Sequence, residues 1–190
     1  MKYLPVYLGC LLASMPLMAE SGQPAEAEKA MKATAAFGQA LKSELVSAMQ
    51  SGGPLAAIEV CNTRAPLIAD AVSLQQDVRV SRVSLKNRNP SNAPNDWQAE
   101  VLSSFEQRKS VGENPAQLTW QETVETASGQ EFRFMKAIPT AGLCLQCHGQ
   151  ALAPAVAEKL NELYPEDQAT GYSEGDLRGA FVVTRQLTAP

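Results

Sequence analysis

Residues 117–138 read QLTWQETVETASGQEFRFMKAI, and this stretch decides the fold predicted for the chain. Two runs in it, 117–127 and 130–138, alternate between apolar and polar residues, as half-buried strands do. Ser128-Gly129 between them is a hairpin signal, because a tight turn needs residues that accept a positive φ. The stretch therefore predicts two antiparallel strands joined by a tight turn.

Two more strands are predicted at a distance from this hairpin. Residues 78–85 (VRVSRVSL) alternate and are rich in valine, and residues 177–185 (LRGAFVVTR) form a similar run near the end of the chain. Segments with helical features precede and separate these strands. The order of elements predicts an α+β fold with an antiparallel sheet.

Four helices are predicted around the strands. Residues 24–50 carry apolar side chains at helical spacing, and Pro54 suits the first turn of a second helix. Pro66 is expected to kink or restart this second helix, because proline lacks the N–H that an inner turn requires. Asp96 is expected to cap a short third helix, and Pro154 to begin a fourth.

The bulk composition is that of a globular protein. The 190 residues are 45% hydrophobic and 19% charged, with a formal net charge of −4. That length allows one domain with a sizeable core. Because the sequence contains no basic run or stripe, a nucleic-acid partner is not expected.

The first nineteen residues predict a secretory signal peptide. Lys2 gives a short positive start, residues 3–18 are almost wholly apolar, and Ala19 is a small residue at a plausible cleavage point. The apolar run is shorter than the roughly 20 residues that span a bilayer, and two prolines interrupt it. An uncleaved anchor is the alternative. We expect a periplasmic protein with one domain over residues 20–190 and no membrane span after cleavage.

The motif Cys144-Leu145-Gln146-Cys147-His148 predicts covalent haem attachment. Two cysteines three residues apart lie on the same side of a helical or turn-like backbone. Their sulfurs can therefore reach the two vinyl groups on one edge of a porphyrin, and the next residue places an imidazole under the iron. The chain is thus expected to carry one haem c, with His148 as an iron ligand. Such attachment occurs outside the cytoplasm, which agrees with the predicted signal peptide.

The two cysteines also suit other chemistry. The pair could form a structural disulfide or a redox-active C-x-x-C site, although no βαβ pattern accompanies it. Cys61, Cys144, Cys147 and His148 together could also form a Cys₃His zinc site. The chain has no second paired motif, and its exported context favours haem.

The sequence constrains the second axial ligand of the haem iron less than it constrains the first, His148. His148 is the only histidine, which excludes bis-histidine ligation within one molecule. The methionines that remain after cleavage, Met31, Met49 and Met135, suit core positions. Cys61 is the unpaired third cysteine of the mature chain, and it is either a small buried residue or a thiolate ligand. A thiolate would lower the haem potential, whereas methionine would raise it.

Several segments taken together resemble a family of c-type haem domains of unknown function with a PAS-like fold. They are 57–62 (AIEVCN), 83–90 (VSLKNRNP), 144–149 (CLQCHG) and 164–179 (YPEDQATGYSEGDLRG). The resemblance implies a PAS-like antiparallel sheet flanked by helices. It also implies a Cys/His axial pair, with Cys61 and His148 in those positions.

Arginines near the second of these segments are candidates for binding the haem propionates. Arg82 and Arg88 are the two singled out, since planar guanidinium groups suit planar carboxylates. Neighbouring Arg79 and Lys86 were considered as well. The alternative for all of them is a solvated strand edge and loop.

Two functions are consistent with these features. The first is a redox or small-ligand sensor, in which NO or CO displaces the weaker axial ligand and Cys61 leaves the iron, freeing a helix. An unknown redox or signalling partner would read the change, since the chain has no room for a fused output domain. The second is a soluble electron-transfer cytochrome with a closed six-coordinate haem. An enzyme is not expected, because peroxidase chemistry commonly uses a distal histidine and none exists beyond His148.

Overall fold

Four antiparallel strands form one sheet in the computed structural model of the chain, which describes residues 23–187. They are β1 (Arg79–Val83), β2 (Thr119–Thr126), β3 (Gly129–Pro139) and β4 (Leu177–Gln186). The strand order is β1-β4-β3-β2, so the first and last strands of the sequence are neighbours. The predicted signal peptide, residues 1–19, lies outside the described residues.

The sheet register follows the pattern that predicted it. In the β2–β3 hairpin Thr126 lies opposite Gly129, so the turn falls at the predicted place. Val183 of β4 lies opposite Val80 of β1 on one side and Phe134 of β3 on the other. Side chains that alternate along these strands therefore line up in rows across the sheet.

The helices are α1 (Gln23–Gln76), α2 (Asp96–Ser110), α3 (Leu145–His148) and α4 (Pro154–Leu163). Within α1, Gly53 alone leaves helical dihedral angles, with φ 68° and ψ −161°, and Pro54 begins the second half. Helical dihedral angles continue through Pro66, so the predicted restart there is wrong. No helix within residues 23–187 is long and apolar enough to cross a membrane.

The start of α2 differs from the prediction by one residue. Asn95, not Asp96, is the N-cap: its side chain accepts from the Gln98 backbone N–H, and the Gln98 side chain accepts from the Asn95 N–H. This reciprocal capping box satisfies two backbone donors, which one carboxylate at Asp96 would not do. Asp96 instead occupies the first turn, where a negative charge favours the helix dipole.

Helices cover both faces of the sheet. The α1 helix packs on one face through Phe37, Leu41 and Ile68, against strand residues that include Phe132 and Val183. On the other face, α2 buries Val101, Leu102 and Phe105 against another set of strand residues. The α+β class and the PAS-like antiparallel sheet flanked by helices are confirmed.

Candidate functional site

The C-x-x-C-H motif occupies a compact turn between β3 and α4. Residues Gly142–Cys144 form one turn of 3₁₀ helix, and α3 continues from Leu145 to His148. Helical backbone across the motif puts the Cys144 and Cys147 thiols on the same side. Neither they nor Cys61 is in a disulfide, so three free thiols stand among the described residues.

A loop of residues 167–172, here called the histidine loop, holds His148 in place. Nδ1 of the His148 imidazole lies 2.7 Å from the carbonyl oxygen of Ala169. The Tyr172 N–H donates to the His148 carbonyl at 3.0 Å, and the Tyr172 ring meets the imidazole edge-on. A carbonyl can only accept, so Nδ1 carries the proton and Nε2 is left with its lone pair. This is the tautomer in which a histidine binds a metal through Nε2.

The surroundings keep this imidazole neutral. Burial lowers the pKa of His148 to about 2, and the positive charges of Arg178 and Arg88 act in the same direction, against the bond to Ala169. A neutral ring is the form that ligates iron. The site therefore offers a histidine ligand that protons do not compete for near neutral pH.

Cys61 lies on the second half of α1, on the side that faces α4 and the C-x-x-C-H motif. Ile58, one turn earlier, packs against Val156, Leu160 and Tyr164, and Cys147 borders the same apolar cluster. Burial raises the pKa of the Cys61 thiol, whereas the charges of nearby arginines, Arg82 first, lower it. The third cysteine is thus placed in the same region as the motif.

The three cysteines and His148 do not surround a common metal-binding position in the described part of the chain. Among residues 23–187, no group of three or more His, Cys, Asp or Glu side chains is arranged to hold a metal ion directly. The tetrahedral Cys₃His arrangement weighed from the sequence is therefore not formed in this structure.

Three arginines converge on this region. Arg82 of β1 is half-buried, and burial lowers its pKa, opposed by Cys61 and Tyr164. Arg88 is buried, 8% exposed, and pairs with Asp167 at 3.0 Å. Arg178 of β4 donates to Ser84 Oγ at 3.1 Å, and burial lowers its pKa as well. Concentrated positive charge next to two thiols and a histidine suits an anionic group.

Only two of these three arginines were predicted. Arg82 and Arg88 were chosen from the sequence, whereas Arg178 was missed. A signal for it existed, because Arg178 lies in the segment 164–179 that carries part of the family resemblance. Arg79 and Lys86 differ from the three in being exposed. Lys86 donates to the Thr170 carbonyl and stands over the Tyr172 ring, so it supports the histidine loop.

The residues present fit a covalently held haem. Two thiols are available at the required spacing, and the His148 tautomer leaves Nε2 for iron. The Arg82 guanidinium has no hydrogen-bond or ion-pair partner within the described part of the chain, although it is desolvated enough to lower its pKa. A haem propionate is a planar carboxylate of the kind that would satisfy such a group.

The methionines are less suitably placed than Cys61 to be a second iron ligand. Met135 is fully buried on the α2 face of the sheet, opposite the face that α1 covers. Met31 lies near the start of α1 and is 39% exposed. Met49 lies just before the break at Gly53. Trp97 and Trp120 stack on each other at the α2 face.

Comparison with known proteins identifies one family and one solved structure. The model of the Tll0287-like family matches residues 17–185. The crystal structure of the cyanobacterial heme-protein Tll0287 superimposes with a TM-score of 0.63 and 22% sequence identity, over 88% of this chain and 99% of that one. At this identity the structural match shows a shared fold. No curated protein matches significantly.

Proposed function

Because the chain belongs to the Tll0287-like family, we propose that it is a periplasmic c-type haem protein that senses redox change or a small ligand such as NO or CO. The observation that carries the proposal is the position of Cys61. Cys61 lies on the second half of α1, which begins after the break at Gly53, on the side that faces the C-x-x-C-H turn. The structural relative is titled a heme-protein, which supports the choice of cofactor.

Each residue of the site has a role in this proposal. Cys144 and Cys147 would hold one haem c through thioether bonds, and His148 and Cys61 would ligate its iron. Arg82 pairs with a propionate. The haem supplies electron exchange and the binding of diatomic gases. The chain's own contribution is to fix His148 through the histidine loop and to place Cys61 next to a helical turn that lacks one backbone hydrogen bond.

The helix that carries Cys61 has a break before this residue and a missing backbone hydrogen bond after it. Gly53 separates the second half of α1 from the first, and Pro66 has no N–H to give the Asn62 carbonyl, one residue after Cys61. The contacts that fix this segment to α4 include those of Ile58 and a 3.6 Å pair between Lys159 and Glu59. A helix with a weakened turn beside its ligand is suited to a two-state response.

The same proposal assigns no enzymatic reaction to the chain. A catalytic haem commonly uses a distal histidine as acid and base, and His148 is the only histidine present. A separate redox or signalling protein would detect the released segment. Export by the predicted signal peptide would bring the chain to the compartment where thioether attachment takes place.

Optical and low-temperature EPR spectra of the oxidised protein, with and without Cys61→Ser, test this function. We expect a low-spin ferric thiolate signature in the oxidised unaltered protein that is lost in Cys61→Ser, and an optical spectrum of the reduced protein that changes on adding CO or NO. Met49→Leu is the matched control and should leave the spectra unchanged. A spectrum that depends on Met49 and ignores added gas would instead indicate an electron carrier and return Cys61 to the core.

A further inference from the structure

Arg88 and Asp167 form a buried ion pair next to the C-x-x-C-H turn. Arg88 Nε lies 3.0 Å from Asp167 Oδ2, and the two side chains are 9% and 11% exposed. Burying two charges costs desolvation energy that their mutual attraction does not reliably offset, so such a pair is weak evidence of a purely stabilising role. What else the pair contacts is therefore informative.

Both groups of the pair reach the backbone around His148. Arg88 Nη2 donates to the Cys147 carbonyl and, at 3.2 Å, to the Ala169 carbonyl. The second carboxylate oxygen of Asp167 accepts the Ala169 N–H at 2.7 Å. The pair thus holds Ala169 on both sides, its N–H through Asp167 and its carbonyl through Arg88, and joins it to the turn that carries Cys147.

The Ala169 carbonyl is also the group that receives Nδ1–H of His148, at 2.7 Å. Ala169 is fully buried, so water cannot substitute for either partner. An imidazole takes its tautomer and ring orientation from the bond that its other nitrogen makes. The position of one backbone carbonyl therefore sets how Nε2 is presented.

We propose that Arg88 and Asp167 are positioning residues for His148: they hold the Ala169 carbonyl where it fixes the tautomer and orientation of the imidazole. This inference rests on the proposed role of His148 as an iron ligand and gives Arg88 a task different from propionate binding. Two of its nitrogens, Nε and Nη2, are engaged by protein groups. Arg82 remains the arginine suited to a propionate.

NMR of the single histidine tests the proposal. In the reduced, CO-bound protein labelled with ¹⁵N-histidine, the Nδ1–H signal of His148 needs no assignment because the chain has one histidine. We expect Arg88→Gln/Asp167→Asn, which removes both charges together, to move this proton upfield. Its exchange with solvent should accelerate on the order of tenfold, as expected when a hydrogen bond loses its support.

Arg178→Gln is the matched control. It also removes a half-buried arginine near His148, but Arg178 bonds to Ser84 and Lys86 and not to Ala169. It should leave the Nδ1–H signal in place. An unchanged signal in the double variant overturns the proposal, and so does an equal acceleration in Arg178→Gln, since that would indicate a general effect of charge.

A single variant and the haem-free protein provide additional tests of the same proposal. If the double variant fails to fold, Asp167→Asn alone should give a smaller acceleration in the same direction, and no acceleration overturns the proposal. All the bonds concerned join protein atoms, so they are also measurable in haem-free chain. If the unaltered protein bound no haem, the proposed function would fail, while the NMR comparison would still test the positioning role.

Discussion

Gly149 shows how tightly the chain turns after the C-x-x-C-H motif. Its N–H bonds to the Leu145 carbonyl at 2.9 Å, and a Cβ built at residue 149 would lie 2.5 Å from that same oxygen. Its φ of −71° is open to any residue. Glycine is therefore required here for space, not for a special backbone angle.

Gly149→Ala is expected to lower the free energy of unfolding by about 1–3 kcal/mol, the usual cost of forcing a group into a packed site. Denaturant unfolding followed by circular dichroism measures the change. Gly142→Ala is the control, because its Cβ would have ordinary contacts with the Glu174 side chain at 3.6 Å and beyond. Equal stability of the two variants would contradict this account of Gly149.

At the scale of single residues, the sequence predicts the candidate haem-binding residues better than it predicts the residues that hold them in position. Cys144, Cys147 and His148 were predicted because their spacing is tied to one cofactor. The acceptor for His148 was not, because Ala169 contributes a backbone carbonyl and every residue has one. Asp167 lies in the segment 164–179 of the resemblance, but its role depends on Arg88, which only the fold brings near.

At the scale of elements, the break in α1 is set by one glycine. Gly53 adopts φ 68° and ψ −161°, a region essentially restricted to glycine. The sequence predicted the stop at Ser51-Gly52-Gly53 and the new start at Pro54, and both are confirmed. Pro66 was expected to act similarly and does not. Ala65 and Ile68 on either side of it are buried in the core under the sheet, and their packing maintains the helix.

Gly53→Ala is expected to destabilise the protein by roughly 1–3 kcal/mol, because alanine cannot adopt these angles without strain. Gln50→Ala, at an exposed position of the same helix, should change stability by less than about 0.5 kcal/mol. Thermal or denaturant unfolding of both variants provides the comparison. A Gly53→Ala variant as stable as the unaltered protein would show that the break is imposed by packing and not by glycine.

At the scale of the whole molecule, the local patterns predicted four strands but not their order. Alternation shows which residues share a face, and the hairpin turn shows that β2 pairs with β3. The sequence carries no comparable sign that β4 inserts between β1 and β3, because that pairing depends on contacts between distant residues. The same insertion brings Arg178 of β4 to Ser84, just after β1, a contact between residues far apart in the sequence.

Arg185, near the end of β4, joins the two ends of α1. It donates to Glu26 at the start of α1 at 2.7 Å and to Asp77 after its end at 3.0 Å, and Lys29 also reaches Asp77 at 3.2 Å. These hydrogen bonds, Arg185 first, lower the pKa of Asp77. Asp77 has a φ of 51°, which asparagine tolerates better than most residues.

Asp77→Asn therefore removes the charge without adding backbone strain. Because the pKa of Asp77 is lower in the folded state, its contribution to stability is present above the unfolded value of 3.8 and is lost as pH falls through the folded value. We expect the variant to be less stable than the unaltered protein at pH 7. The difference should shrink as the pH falls below about 3.8.

Urea unfolding at pH 7 and at pH 3 measures this dependence. Asp70→Asn, at an exposed position with no ion pair in the described region, should show no such trend. A difference for Asp77→Asn that persists unchanged at pH 3 would show that the carboxylate charge is not what stabilises this junction. Added salt should reduce the difference at pH 7, because exposed charges are screened.

The strand order also bears on timing during synthesis. Val80 lies opposite Val183, more than half the chain away, so the sheet cannot close until its last strand has been made. Cys61, Cys144, Cys147 and His148 all precede that strand. A growing chain therefore presents the Cys144 and Cys147 thiols and both candidate ligands before the last strand of the sheet exists, and under the proposed function the haem would be attached while the site is still open.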